Sequence, residues 1–207
     1  LYLKDVKKIF YKKYIKRFAD VSISLIILIL STPILLLAAF FIFIEDGGSI
    51  LYFQKRTGYK NKIINIIKLR SMSINSELDG AKWAKSNDKR ITSIGKILRL
   101  TRIDELPQLI NVLKGEMSLI GPRPERPEID LNLINEIENY NFRYLIKPGI
   151  SGWAQVCYPY AASIEDTYQK LSYDFFYIKN QSIFLDLYIF LRTIKVIFNI
   201  KGSKPIK

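Results

Sequence analysis

A run of 24 uncharged residues, 21–44, constrains the fold of this 207-residue chain more than any other feature. Asp20 and Glu45 bound the run. A helix of that length would extend about 36 Å at about 1.5 Å per residue, enough to cross a hydrocarbon core of about 30 Å. The run is too long for a secretory signal peptide, and no small-residue cleavage site follows it. We therefore predict a membrane helix in this segment.

The residues around and within this run favour a helix that enters and leaves the membrane through one face. Both flanks are basic, and positive flanks prefer the cytoplasm, so a simple span would place one flank on the wrong side. Pro33 stands near the middle, after Ser31 and Thr32, where proline bends a helix and hydroxyls bond the freed carbonyls. We predict a re-entrant helix broken at Pro33, with a plain span as the alternative. The basic flanking residues are Lys4, Lys7, Lys8, Lys12, Lys13, Lys16 and Arg17 before the run, and Lys55, Arg56, Lys60, Lys62, Lys68 and Arg70 after it.

The composition excludes several kinds of catalytic site. Histidine is absent, which rules out a Ser-His-Asp triad, an imidazole base and a His-ligated zinc site. The single cysteine, Cys157, cannot form an internal disulfide, which suits a reducing compartment. The 32 basic and 19 acidic residues leave a net charge of +13, which favours phospholipid head groups, phosphorylated ligands or nucleic acid as partners. Catalysis would therefore depend on carboxylates, lysine, tyrosine, hydroxyls, the thiol or a hard metal ion.

The pattern along the chain predicts two parts. Residues 1–45 form the basic segment and the re-entrant helix, and residues 46–207 form a small catalytic domain of mixed α/β (α+β) fold. Within this domain, residues 49–54 and 62–70 are β-rich and predict a hairpin. Residues 182–200 are very apolar but carry three charges, which favours an amphipathic interfacial helix over a span. A buried core helix is the alternative for this last segment.

An acidic pair, Asp104 and Glu105, stands where a helix is expected to begin. Apolar spacing over residues 106–113 predicts this helix, and Pro107 fits only its first turn, so Asp104 is the expected N-cap. Such pairs usually serve as caps. Here, however, cations surround the pair, and a helix N-terminus ringed by cations can bind phosphate while aspartate accepts a phosphoryl group. The neighbouring cations are Lys96, Arg99, Arg102 and Arg123, with Lys68 and Arg70 expected to share one face of the second hairpin strand.

Six ordered motifs connect the chain with a known family. The most specific is residues 99–124, which read RLTRIDELPQLINVLKGEMSLIGPRP. The others are KRFAD at 16–20, FQKRTG at 53–58, KLRSM at 68–72, KPGISGWAQV at 147–156, and Tyr173-Asp174 followed by Tyr177 and Asp186. On these motifs the chain resembles the monotopic phosphoglycosyl transferases, the bacterial sugar transferase family. The resemblance covers nearly the whole chain, from about Lys16 to Lys201.

The resemblance implies a two-step, ping-pong reaction. Asp104 would attack the β-phosphate of a UDP-sugar and release UMP, and undecaprenyl phosphate would then attack the phosphosugar intermediate. Glu105 matches the second member of the catalytic dyad, with a supporting acid/base or metal role. Lys68, Arg99 and Arg123 match residues that contact phosphate, and we add Arg70 as a candidate. The resemblance also implies dependence on Mg²⁺, for which Asp104 is the candidate ligand.

The resemblance further implies a location and partners. The catalytic domain would sit at the cytoplasmic face of the bacterial inner membrane, in contact with membrane lipids, and a second copy of the chain is a further candidate partner. Residues 125–128 and 158–163 look more like the hexose-phosphate transferases of exopolysaccharide and capsule synthesis. In such proteins this domain is often the C-terminal part of a longer membrane chain, which suits a start at Leu1. Arg102 and Cys157 depart from the family pattern, so the sequence leaves the sugar open.

Two other functions use the same features. A membrane-tethered nucleic-acid binder would account for the charge of +13. The basic residues, however, border the apolar run or the acidic pair and do not form one aromatic-studded stripe, so no nucleic acid is expected as a partner. A scaffold for other glycosyltransferases would retain its function when Asp104 is replaced.

Overall fold

One long helix opens the computed structural model, which describes residues 11–74, 76, 88–158 and 163–198. A π-helical turn, Tyr11–Ile15, leads into helix α1, Lys16–Asp46. Of the helices in the described ranges, α1 alone is long and apolar enough to cross a membrane. The helix continues through Pro33, and the hydroxyls of Ser31 and Thr32 donate to the Leu28 carbonyl at 3.2 and 2.8 Å. The helix is therefore continuous at Pro33, where a break was expected. The re-entrant topology stays a prediction.

Helix α1 has one face on the domain and one face exposed. Its buried residues recur at steps of four and seven, which places them in one stripe along the helix. The opposite face carries large exposed apolar side chains, among them Phe18 and Leu30, whose exposed fractions are 76% and 73%. The helix therefore lies along the domain and leaves an apolar surface outside. The buried stripe consists of Lys16, Asp20, Ser24, Ser31, Ala38 and Ile42.

Both ends of α1 are bonded to the same domain. Near its start, the Arg17 guanidinium donates to the carbonyls of Val112 and Leu113 at 2.6 and 2.8 Å. Near its end, the Asp46 carboxylate accepts a hydrogen bond from Arg70. Hydrogen bonds therefore join residues near both ends of the helix to one domain.

The predicted hairpin is present with shifted boundaries. Strand β1, Leu51–Thr57, pairs antiparallel with β2, Ile63–Leu69, in a register that sets Tyr52 opposite Lys68. Because the side chains alternate, Ile64 and Ile66 enter the core on the face that also carries Lys68. The strand ends at Leu69, so this alternation does not extend to Arg70.

Two further strands and several helices complete the domain. Strand β3, Ser118–Ile120, and strand β4, Gly149–Ser151, form a parallel pair, in which Ser118 lies opposite Gly149. A Cβ on Gly149 would lie 2.1 Å from the Gly121 nitrogen, so glycine permits this close approach. The elements are α2, Ser93–Thr101; a 3₁₀ turn, Ile103–Glu105; α3, Gln108–Lys114; β3, Ser118–Ile120; α4, Pro127–Glu136; a 3₁₀ segment, Tyr140–Leu145; β4, Gly149–Ser151; α5, Trp153–Cys157; α6, Ile164–Asn180; and α7, Ile183–Phe198. The mixed helix and strand composition confirms the predicted α+β class.

Helix α7 is amphipathic. Ile189 is fully buried in the main core, whereas Phe184 is 81% exposed. The Asp186 carboxylate points inward and accepts hydrogen bonds from Tyr11 and Lys16, both at 2.6 Å. A buried core helix, the alternative, would not expose so much apolar surface, so the pattern favours the predicted interfacial helix. The membrane contact stays a prediction, and residues 199 and 200 of the predicted segment lie outside the described residues, as do 159–162 of the segment 158–163.

Candidate active site

The acidic pair lies in a tight turn between two helices. Helix α2 ends at Thr101, and Arg102 takes a left-handed conformation with φ of 60°. The 3₁₀ turn that follows is closed by a hydrogen bond from the Glu105 nitrogen to the Arg102 carbonyl at 3.1 Å. Helix α3 begins only at Gln108, so the expectation that Asp104 is its N-cap was wrong. The turn has a different effect, because it buries two consecutive carboxylates side by side.

Glu105 draws two predicted cations together. The Lys68 Nζ atom, on β2, lies 3.3 Å from Glu105 Oε1. Arg123, in the loop after β3, donates to Oε1 at 2.5 Å and to Oε2 at 3.4 Å. Burial alone would raise the pKa of Glu105, but the charges of Arg123 and Lys68 outweigh it and hold that pKa well below its usual range. Glu105 is therefore ionised and sets the positions of two cations.

Asp104 has a different environment although it is the adjacent residue. Its carboxylate is buried, and its Oδ1 atom has no hydrogen-bond partner among the residues that the structure describes. Burial and the charge of Glu105 raise its pKa to about 6, against the opposing charges of Lys68, Arg99 and Arg102. A buried carboxylate oxygen without a partner, with cations around it, is available to an electrophile or a metal ion.

The other two predicted basic residues are placed differently. The Arg99 Nε atom donates to the Ser71 hydroxyl at 2.8 Å, and its charge lowers the pKa of Asp104. Arg70 is buried against Asp46 at the end of α1 and makes no recorded contact with the acidic pair. The structure therefore brings Lys68 and Arg123 to the acidic pair, sets Arg99 near it and directs Arg70 to the end of α1. A substrate-binding role for any of the four stays a prediction.

Sequence reasoning missed the residues that hold the Arg123 loop. The Arg56 guanidinium donates to the Pro124 carbonyl at 3.0 Å and to Gln54 Oε1 at 2.5 and 3.0 Å. Gln54 and Arg56 are two residues apart on β1, which puts them on the face of Tyr52. This alternation within the motif at 53–58 was the available signal. The contact with the loop, 68 residues away, could not be inferred from it.

The acidic pair fits a Mg²⁺ ion better than a protein-only metal cage. In the ranges that the structure describes, no three side chains of the metal-binding types form a cluster. Mg²⁺ is usually bound through one or two carboxylates, with substrate phosphates and water filling its other positions. Both oxygens of Glu105 bond Arg123, whereas Asp104 Oδ1 has no recorded partner. Asp104 is therefore the residue that could hold the ion.

Comparisons with known proteins identify the family of the chain. A family model described as "Bacterial sugar transferase" matches residues 11–200. A UDP-N-acetylgalactosamine-undecaprenyl-phosphate N-acetylgalactosaminephosphotransferase of Aeromonas hydrophila is 46% identical, covering 92% of this chain and 45% of that protein. An undecaprenyl-phosphate glucose phosphotransferase of Komagataeibacter xylinus is 40% identical over 87% of this chain and 35% of that protein. A UDP-glucose:undecaprenyl-phosphate glucose-1-phosphate transferase of Klebsiella pneumoniae is 39% identical over 86% and 39%. The chain spans less than half the length of each of these relatives.

Proposed function

Because the chain belongs to the bacterial sugar transferase family, we propose that it transfers a sugar 1-phosphate from a UDP-sugar to undecaprenyl phosphate and releases UMP. The names of the three relatives describe transfer to undecaprenyl phosphate. The observation that carries the mechanism is the Oδ1 atom of Asp104, a buried carboxylate oxygen that has no hydrogen-bond partner in the described part of the chain. It lies beside a carboxylate that holds two cations.

In the first step, Asp104 attacks the β-phosphorus of the UDP-sugar. The new bond joins a carboxylate oxygen to that phosphorus, and the bond from phosphorus to the bridging oxygen breaks. UMP leaves with the bridging oxygen and its electron pair, and the sugar phosphate stays on Asp104. Above about pH 6 the carboxylate is mostly ionised, as a nucleophile must be.

In the second step, a phosphate oxygen of undecaprenyl phosphate attacks the same phosphorus. The bond to Asp104 breaks, the carboxylate is regenerated, and the sugar leaves as an undecaprenyl diphosphate conjugate. One phosphate pocket can therefore serve both substrates in turn, which avoids holding two phosphorylated ligands together. Dividing the transfer into two steps also replaces one difficult displacement by two easier ones.

The cations would bind the phosphates in both steps. Arg123 keeps 32% of its side chain exposed while bonded to Glu105, so its guanidinium borders the open side of the site. The Lys68 side chain is 15% exposed, and its ammonium group pairs with the same carboxylate. Fixed charges in a partly buried site stabilise developing negative charge more than they would in water. A Mg²⁺ ion held by Asp104 and the substrate phosphates would supply further neutralisation of charge.

The proposal includes a re-entrant topology at the cytoplasmic face of the membrane. Hydrogen bonds join both ends of α1 to the catalytic domain, and its outer face is apolar along its length. A spanning helix would separate its ends by the hydrocarbon core, which one domain could not bridge without entering that core. The exposed apolar face of α7 would then contact the same membrane surface.

The test of the proposed activity is a panel of UDP-sugars with undecaprenyl phosphate and Mg²⁺, in which UMP release is measured for each donor. We expect release with at least one of UDP-N-acetylgalactosamine and UDP-glucose, and labelled sugar should enter the lipid fraction. Release of UDP instead of UMP would mean transfer of the sugar without its phosphate, and the proposal would fail.

A further inference from the structure

The loop that carries Arg123 is held by its backbone. Arg143 Nη2 donates to the Arg123 carbonyl at 2.7 Å, and Arg56 Nη1 donates to the Pro124 carbonyl at 3.0 Å. The Thr57 nitrogen donates to the Glu125 carbonyl at 2.9 Å. Three consecutive carbonyls are therefore bonded by two parts of the chain, strand β1 and the 3₁₀ segment Tyr140–Leu145. A loop held in this way can move little.

Arg143 is itself fixed more firmly than the loop it holds. Its guanidinium is buried and lies 5.0 Å from the ring centre of Tyr140 and 5.8 Å from that of Tyr144. Nη1 donates to the Tyr140 hydroxyl, and Nη2 also pairs with Asp174 Oδ2 at 3.0 Å. Asp174, on α6, is only 3% exposed. Two rings and a buried carboxylate therefore leave the guanidinium one orientation, with Nη2 toward the Arg123 carbonyl.

We propose that Arg143 is a positioning residue for the phosphate-transfer site, acting through Arg123. Asp174 orients Arg143, Arg143 holds the backbone of Arg123, and the Arg123 side chain then meets Glu105 beside the nucleophile. Among the described residues, the contacts of Arg143 are with Tyr140, Tyr144, Asp174 and the Arg123 backbone, and not with Asp104 or Glu105. This inference rests on the proposed function, because it assigns Arg123 to the phosphates.

A purely structural role for Arg143 is the competing explanation. A buried arginine that pairs with a buried aspartate stabilises the fold only when the pair is complete, so its removal weakens the fold wherever it lies. Both explanations therefore predict lower stability for an Arg143→Ala protein. The two explanations differ in one expectation. If Arg143 positions Arg123, replacing Arg143 should lower activity much less once Arg123 has already been replaced. If its role is only structural, the loss should be the same whether or not Arg123 is present.

The test is a double-mutant cycle between Arg143→Lys and Arg123→Lys. Lysine keeps the charge beside Asp174 but has no planar fork to bond the carbonyl, the carboxylate and the hydroxyl together. We expect Arg143→Lys to lower kcat for UMP release about 10-fold or more in the wild-type background, since small displacements of a binding group are costly. In the Arg123→Lys background the same change should lower kcat less than about 2-fold, because the two residues act as one unit.

The matched control is Arg17→Lys, which removes bonds to two backbone carbonyls of α3 instead of the loop. Its effect on kcat should be the same factor in both Arg123 backgrounds. Circular dichroism and thermal unfolding would verify that each protein is folded. If Arg143→Lys does not fold, Asp174→Asn replaces it, because that change frees the guanidinium to turn while preserving the shape of the side chain.

A second readout separates this inference from the proposed function. The four proteins of the cycle are the wild type, Arg143→Lys, Arg123→Lys and the double variant. Each is titrated with UDP in the presence of Mg²⁺, and the Kd is measured by calorimetry, which does not depend on turnover. Non-additive weakening of UDP binding supports the positioning role even if no donor sugar is turned over. If Arg143→Lys changes kcat, or changes Kd, by the same factor with arginine or lysine at position 123, the positioning role is overturned. The transferase assignment would remain intact. Failure of the wild-type protein to bind UDP would also overturn the positioning role.

Discussion

Arg123 meets Glu105 at 2.5 Å, and this contact makes two adjacent carboxylates chemically different. The guanidinium and Lys68 lower the pKa of Glu105 despite its burial, whereas burial raises the pKa of Asp104 to about 6. Two neighbouring acids whose pKa values are pushed apart are typical of sites in which each has its own task. Here Glu105 pairs with Lys68 and Arg123, and Asp104 is the residue proposed to react.

Replacement of Asp104 by asparagine should abolish turnover. An amide has nearly the same shape but is a poor nucleophile, so we expect kcat for UMP release to fall about 10³-fold or more. Stability should be unchanged or slightly higher, because the buried Oδ1 atom has no recorded hydrogen bond to lose and the cost of burying a charge is removed. Steady-state kinetics and urea unfolding measure the two effects. Glu136→Gln, on the exposed face of α4, is the control. Near-normal turnover by Asp104→Asn would contradict the assignment of Asp104 as the nucleophile.

Activity should fall as the pH is lowered through about 6. Asp104 must be ionised to attack, and its pKa of about 6 makes the protonated fraction large below that value. A pH profile of kcat/KM for the UDP-sugar, measured by UMP release, checks this, because kcat/KM reports the ionisation of groups in the free enzyme. The expected curve has half of its plateau near pH 6, whereas a curve still flat at pH 4.5 would contradict the raised pKa.

The same raised pKa predicts a change in stability with pH. The folded state binds the Asp104 proton more tightly than the unfolded chain, so this group stabilises the fold at low pH and the contribution is lost as the pH rises through about 6. As the pH rises from about 4 to about 7, the free energy of unfolding of Asp104→Asn should therefore increase relative to that of the wild-type protein. Urea titrations at several pH values test the sign.

Removal of the Arg123 side chain should strongly lower the rate of UMP release. In Arg123→Ala the buried Glu105 carboxylate keeps Lys68 but loses the stronger partner, and the substrate loses a phosphate contact. We expect kcat for UMP release to fall about 10²-fold to 10³-fold, as when a donor to a developing negative charge is removed. Arg123→Lys should retain part of the activity, because a charge remains without the two-point contact. Arg192→Ala, on α7, is the matched loss of an exposed arginine, and an equal effect there would indicate a general effect of charge.

Cysteine labelling should place both ends of α1 on the same side of the membrane. The experiment uses a Cys157→Ser protein, in which single cysteines replace Asp5 or Lys62, in oriented vesicles treated with an impermeant reagent. We expect both to be labelled from the same side. Pro33→Leu should shift part of the population toward a span, since leucine removes the residue that disfavours a straight helix. Protection of the two positions from opposite sides would mean a simple span in the parent protein.

A covalent phosphosugar on Asp104 should be detectable without the lipid substrate. Protein incubated with Mg²⁺ and its UDP-sugar should release UMP in a burst near one equivalent, because the first step does not need the acceptor. Intact-mass analysis should then show a phosphosugar adduct, and peptide mapping should locate it on Asp104. Asp104→Asn is the control that should give neither burst nor adduct. If fully active enzyme released UMP only with lipid present and formed no adduct, direct transfer would be the mechanism.

Features that depend on neighbours along the chain could be predicted from sequence patterns. The uncharged run at 21–44 predicted the apolar helix, because the backbone hydrogen bonds of a helix join residues that are close in the sequence. Alternating apolar residues predicted the hairpin, and its strands were found within three residues of the expected ends. The acidic pair was identified as the candidate centre because it stands among cations within one short stretch of chain.

Contacts between groups far apart in the chain could not be predicted and are known only from the fold. Lys68 and Arg123 reach Glu105 from 37 and 18 residues away, whereas Arg70, two residues from Lys68, turns to Asp46 because the strand ends between them. The same folding placed Asp104 in a 3₁₀ turn before the helix instead of at its N-cap. Arg143 lies 20 residues from the carbonyl it holds. Such contacts follow from how the elements pack, and packing depends on the whole chain at once, whereas a sequence pattern reports only a local preference.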